Sequence, residues 1–204
     1  MRSSSSLTSC SSLNYTKLLN VQIDSNTQLP EKWHQVGEIV NLPTKGRFLA
    51  KADLNQTWLV GAELDNAQLR EAQLNQAILI KASFKSATLK RASLQGANLD
   101  QADLTKAFLF EAYLQQASLK GADLSYAILG RAILTQACLQ GANLSGAKLL
   151  AADFQLADLR GANLSNSHLD TANFFRADLS GSNLIGAKGT PNFLEAILAG
   201  LKRK

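Results

Sequence analysis

Residues 92–106 read ASLQG ANLDQ ADLTK: three five-residue units in succession, Ala92-Ser93-Leu94, Ala97-Asn98-Leu99 and Ala102-Asp103-Leu104, each followed by two variable residues. The register extends in both directions. From Leu49 to Leu184 every fifth residue is large and apolar, 28 positions of which 25 are Leu and three are Phe (Phe84, Phe154, Phe174). Ala stands two residues earlier in 24 of the 28, the exceptions being Arg47, Thr57, Ser167 and Ser182. The residue between is Asp or Asn 11 times, so the unit is A-(D/N)-L-x-x.

A period of five suits neither regular element. On an α-helix a five-residue step rotates the Leu by roughly 140° and smears it around the axis. On a continuous strand an odd step sends alternate Leu residues to opposite faces. The chain must therefore turn once per unit. Ala and Leu, two apart, share one face of a short extended piece, and a turn of about 90° at each x-x pair keeps both inward. Four units then close a coil of 20 residues, and the 28 units make about seven coils. Stacked at strand spacing, they form a column roughly 34 Å long. Leu94, Leu99, Leu104, Leu119, Leu139, Phe154 and Phe174 belong to its predicted core. Pro43 and Pro191 bracket the repeat and no proline interrupts it, as a ladder needing every backbone donor requires.

On this motif the chain resembles the pentapeptide repeat family over residues 47–187. The resemblance implies an all-β solenoid, a right-handed quadrilateral β-helix. It implies no single activity, because the family's roles are diverse.

Composition agrees. The 204 residues are 46% hydrophobic and 18% charged, enough apolar mass for a sizeable core. No apolar run approaches the length that spans a membrane. Two cysteines cannot make a disulfide framework. The net charge of +5 is concentrated at the end: residues 47–187 hold 13 basic and 12 acidic side chains, whereas residues 188–204 hold four and one. A nucleic-acid-binding body should carry a basic stripe, and by count this one does not.

A solenoid needs capped ends. Residues 1–12 read as a disordered Ser-rich start. Leu7-Thr8-Ser9-Cys10 imitates a lipidation site but lacks the apolar stretch ahead of it. An organelle transit peptide has only the Ser-rich composition in its favour, and the expected location is the cytoplasm. Residues 13–46 read as an N-terminal capping segment, with a helix over 30–42 carrying Trp33, Val36, Ile39 and Val40 on one side. This segment is expected to fold over Trp58, Val60, Ile78 and Ile80 of the first two coils. Residues 188–204 read as a C-terminal capping helix with a basic tail. Its apolar residues Phe193, Leu194, Ile197, Leu198 and Leu201 form either a lid or a homodimer contact.

Residues 20 apart should stack, which turns the sequence into columns. Glu71, Arg91, Glu111 and Arg131 form an ion-pair ladder, and Gln56, Gln76, Gln116 and Gln136 an amide ladder. Gly121, Gly141, Gly161 and Gly181 form a column suited to turns. The stacked pairs Asp103/Asp123 and Asp158/Asp178 could hold a cation or do acid–base work. The repeated slot, however, reads as one whose side chain bonds local backbone. His34, His168 and Cys138 have no ligand-spaced partners, so no catalytic residue, metal site or cofactor is expected. Phe108, Phe110, Tyr113, Ile128, Ile133 and Leu150 cluster outward in the middle coils and are the candidate protein-interaction residues.

The reading that follows is a non-enzymatic interaction or scaffold protein whose partner is another protein. A topoisomerase-binding DNA mimic, resembling the family's quinolone-protection members, would need a negative body, and the near-neutral one opposes it. An enzyme with a surface site is the third reading. A bore filled with Leu and Ala leaves no room for a substrate pocket.

Overall fold

The protein is described by a computed structural model, covering residues 13–14, 30–41 and 46–203. The Ser-rich start, Cys10, most of the 13–46 segment and Lys204 lie outside the described residues.

Each five-residue unit is one short side and one corner. The middle residue of each Ala-x-Leu bridges in parallel to the residues 20 before and after it, from Phe48↔Gln68 to His168↔Lys188. The corners are four-residue turns, nearly all closed by the N–H at the next Ala position on the preceding core carbonyl, as Ala97 N to Leu94 O at 3.0 Å, while at Thr57 the side-chain hydroxyl reaches Leu54 O instead. The third residue of the turn sits at a positive φ, between 53° and 60° at the non-glycine corners. For a residue with a Cβ that conformation costs about 1 kcal/mol or more. What repays it is the ladder: the same corner N–H reaches the next coil, as Gln56 N to Asn75 O at 2.9 Å. The Gly121, Gly141, Gly161 and Gly181 column occupies this corner slot.

The core is continuous. Every Leu and Phe of the repeat from Leu49 to Leu184 is buried, with Leu94, Leu99, Leu104, Leu119, Leu139, Phe154 and Phe174 fully so. Three of the four departures from Ala are accommodated by one device. The buried hydroxyls of Thr57, Ser167 and Ser182 donate to the carbonyls of Leu54, Leu164 and Leu179 at 2.6–2.7 Å. The fourth, Arg47, donates to the carbonyl of Glu38 in the cap.

At the N-terminal end, helix α1 (Glu31–Asn41) closes the column. Its Trp33, Val36 and Ile39 join the same buried cluster as Leu49 and Leu54. Lys32 and Arg47 tie it down through Asp53 and Glu38. Trp58, Ile78 and Ile80 are half-buried and Val60 is exposed, and most of the segment expected to cover them lies outside the described residues.

The C-terminal end corrects an expectation. Residues 192–203 are a further, three-sided coil and not a helix: Asn173↔Asn192, Asp178↔Ile197 and Asn183↔Lys202 bridge in parallel. Their spacing is 19, because the corner Gly189-Thr190-Pro191 is one residue short. Gly189 takes φ +107°, and a Cβ there would stand 2.5 Å from the Asp170 amide nitrogen. Beyond that shift the repeat resumes as Asn192-Phe193 and Ala196-Ile197-Leu198. The Phe193 ring extends the core stack of Phe154 and Phe174, at centroid spacings of 5.0 and 5.2 Å. Phe193, Leu198 and Leu201 therefore point inward and are half-buried, whereas Leu194 and Ile197 are exposed at 62% and 53%. Arg203 stands where the next core Leu would be, its guanidinium 4.8 Å over the Phe193 ring.

Candidate functional site

The side running Phe48, Gln68, Thr88, Phe108, Ile128, Lys148, His168 and Lys188 carries the aromatic cluster. The extended backbone sends Leu109 inward and Phe108 and Phe110 outward, and the two rings stack at 6.1 Å. Phe110 lies flat across the next coil at Gly130, where a Cβ would meet its ring at 3.0 Å. Ile128 bridges Phe108 directly, and Tyr113 bridges Ile133 on the adjoining side. Leu150 projects from the corner two coils beyond Phe110 and is 52% exposed. All six candidate residues thus stand on two adjoining sides of the middle coils.

Tyr126 is a member that outward alternation along a side passes over, because it occupies a corner. It is 63% exposed, with its ring against Gly146. The signal lies in the sequence: a Gly follows both Phe110 and Tyr126 by 20 residues, and in the stack that is the notch a ring lies down in.

Charge frames the cluster. Lys90 Nζ sits 5.6 Å over the Phe110 ring. Arg91 and Arg131 share Glu111, at 2.7 and 3.8 Å. That pairing holds the Glu111 carboxyl below its usual range, chiefly through the hydrogen bond from Arg91. The ion ladder expected from the columns is present from Arg91 through Glu111 to Arg131, with Glu71 paired instead to Arg70 and Lys51, and the amide ladder is present as Gln56 to Gln76 at 3.0 Å and Gln116 to Gln136 at 2.9 Å.

The stacked carboxylates are occupied by scaffold contacts. Asp103 Oδ1 accepts from Thr105 N at 3.0 Å and Asp123 Oδ1 from Ser125 N at 2.8 Å. Burial disfavours the charged Asp103, but hydrogen bonds from Thr105 and Lys85 outweigh it and pull its pKa below the usual range. Asp158 is likewise held low, first by the fork of Arg160 at 2.9 and 2.7 Å, against partial burial. Carboxylates so engaged are poor proton acceptors. Among the described residues no group of three His, Cys, Asp or Glu could hold a metal ion, and no helix is long and apolar enough to cross a membrane. Depressions of about 380 Å³ lie at the two ends, one beside α1 and one between Leu184, Pro191, Phe193 and Arg203.

A family model described as pentapeptide repeats matches residues 49–85, 67–106, 111–149 and 152–188, with 8 copies. Among solved structures, the chain is 34% identical to HetL, a pentapeptide repeat protein involved in heterocyst differentiation regulation from the cyanobacterium Nostoc sp. strain PCC 7120. That match covers 78% of this chain and 85% of HetL, with a TM-score of 0.38. It is 42% identical to alr5209, a pentapeptide repeat protein of the same Nostoc strain, over 50% of this chain and 84% of that one, with a TM-score of 0.45. Its fold is also similar to that of QnrB1, a plasmid-mediated fluoroquinolone resistance protein. The identity there is 17% over 78% and 91% of the two chains, with a TM-score of 0.56. No curated protein matches the chain.

Proposed function

The chain belongs to the pentapeptide repeat family, and from that premise we propose that it is a non-enzymatic interaction or scaffold protein acting in the cytoplasm on another protein. The observation that carries the reading is the outward-facing cluster of Phe108, Phe110, Tyr113, Ile128, Ile133 and Leu150, with Tyr113 and Leu150 exposed and the other four half-buried, on a column whose interior is filled. Aromatic clusters of this kind are where binding energy concentrates, and a rigid column holds them ready without an ordering cost. The right-handed hand of the family's β-helix would set the direction in which successive units pass this surface. The half-buried Phe193, Leu198 and Leu201, with exposed Leu194 and Ile197 beside them, support a homodimer contact at the C-terminal coil. The topoisomerase-binding alternative draws only on a shared fold, and the excess of basic over acidic residues opposes it.

The test is Phe108→Ser with Phe110→Ser in a protein shown by circular dichroism to keep its fold. The variant should lose a specific protein that the parent chain recovers from a lysate of its own cells. Unchanged partner recovery together with unchanged oligomeric state would remove this surface from the function.

A further inference from the structure

The charge on the side that carries Phe108, Phe110 and Ile128 is one-sided. The column of that side, from Phe48 to Lys188, contains no carboxylate. Lys106 stands at the corner two residues before Phe108, Lys148 stacks directly on Ile128, and Lys90 overhangs Phe110. Among the described residues, none of these three lysines takes part in an ion pair, while Arg91 beside them and Lys85 and Arg160 elsewhere on the body do. Of the acids bordering the wider cluster, Glu111 is held by two arginines and Asp153, stacked on Ile133 on the adjoining side, accepts from Gln155 N and Asn173 Nδ2, while Asp170 lies one coil beyond Leu150, away from Phe108, Phe110 and Ile128. The rings and Ile128 thus lie between ammonium groups spread over three coil spacings, about 14 Å along the column.

Resting on the interaction reading above, we propose that this surface recognises an acidic peptide segment of its partner. Apolar anchors would seat on Phe108, Phe110 and Ile128, with carboxylates on either side meeting Lys90, Lys106 and Lys148. An aliphatic residue between carboxylates satisfies both halves of the surface at once. A neutral anchor would leave three cations without counter-charge, and a basic one would be repelled. Single-stranded nucleic acid also combines flat bases with negative charge. It needs a cationic track along its backbone, and below Lys148 this side offers only His168 before Lys188.

The test uses the full chain immobilised against phage-displayed random linear peptides, with poly(dT) as a separate probe. The comparison variants are Phe108→Ser/Phe110→Ser and Lys90→Gln/Lys106→Gln/Lys148→Gln, the second removing charge from outward-facing positions without touching the core. The expected result is enrichment of peptides with a net negative charge around aromatic or aliphatic residues. Their binding should be lost in the first variant, and weakened about tenfold in the second and by added salt. Peptides that need Phe108 and Phe110 but are neutral or basic would overturn the acidic partner and leave the interaction reading standing. Absence of any peptide that distinguishes the parent from the Phe108→Ser/Phe110→Ser variant would overturn both. Poly(dT) binding that either variant abolishes would replace the peptide with a nucleic acid.

Discussion

At the scale of the residue, the fold rests on one inward Leu or Phe per five, and each is caged by the coils on either side. Leu119 illustrates the constraint. It is fully buried, with Ala117 and Ala122 around it also buried and Leu99 and Leu139 in the coils above and below. Leu119→Asp would place an unpaired carboxylate in a core with no donor to meet it, a cost on the order of 5 kcal/mol or more. The expected outcome is no folded protein, seen as loss of the β signal in circular dichroism. A soluble variant melting at the parent's temperature would contradict the packing. The Ala slot is more lenient for a physical reason. A small hydroxyl can bond the carbonyl three residues earlier, as Thr57 and Ser182 do, so Ser and Thr fit inside the column, whereas the charged Arg47 occupies the slot only at the first coil, where the cap offers it Glu38.

At the scale of the element, the middle coils were legible because their register never slips, and the last coil was not because it slips once. Phe193, Leu194, Ile197, Leu198 and Leu201 satisfy a helical spacing, and the same residues satisfy the five-residue frame if one position is dropped. Only the backbone decides, through the Gly189 corner. The signal for the second reading is short-range: Asn192-Phe193 repeats Asn173-Phe174, and Gly200 continues the Gly181 column one residue early. The outward cluster was legible from alternation along each side, whereas Tyr126 and the framing lysines became meaningful only once corners were assigned neighbours. Gly189→Ala tests the slipped corner. The new Cβ would collide with the backbone of Asp170 at a φ that L residues avoid, costing about 1–3 kcal/mol. The loss should fall on the last coil, as faster amide hydrogen exchange at residues 192–203 with the middle coils unchanged. Unaltered exchange there would show that the corner is not under this constraint.

At the scale of the whole molecule, stability should depend on acid in one direction. Asp103, Asp158 and Glu111 all have pKa values lowered by folding. A group depressed in the folded state contributes stability above its unfolded pKa, and that contribution vanishes as pH falls through the folded value. The melting temperature should therefore be level from about pH 5 to 8 and decline below about pH 4, where carboxylates titrate. Asp158→Asn, which removes the Arg160 fork, should flatten part of that decline while costing only about 0.5 kcal/mol at neutral pH, as exposed pairs do. A decline equally steep in the variant would assign the acid sensitivity elsewhere. The 20-residue bridging step has a consequence for how such a gene can change length. Gain or loss of a whole coil leaves every downstream residue on its original side. Gain or loss of a single five-residue unit turns everything after it by a quarter of a revolution, so Phe108 and Ile128 would part company while the core stayed intact. Selection on a binding surface would then tolerate duplications of sixty nucleotides and reject those of fifteen, although the core itself is indifferent to the choice.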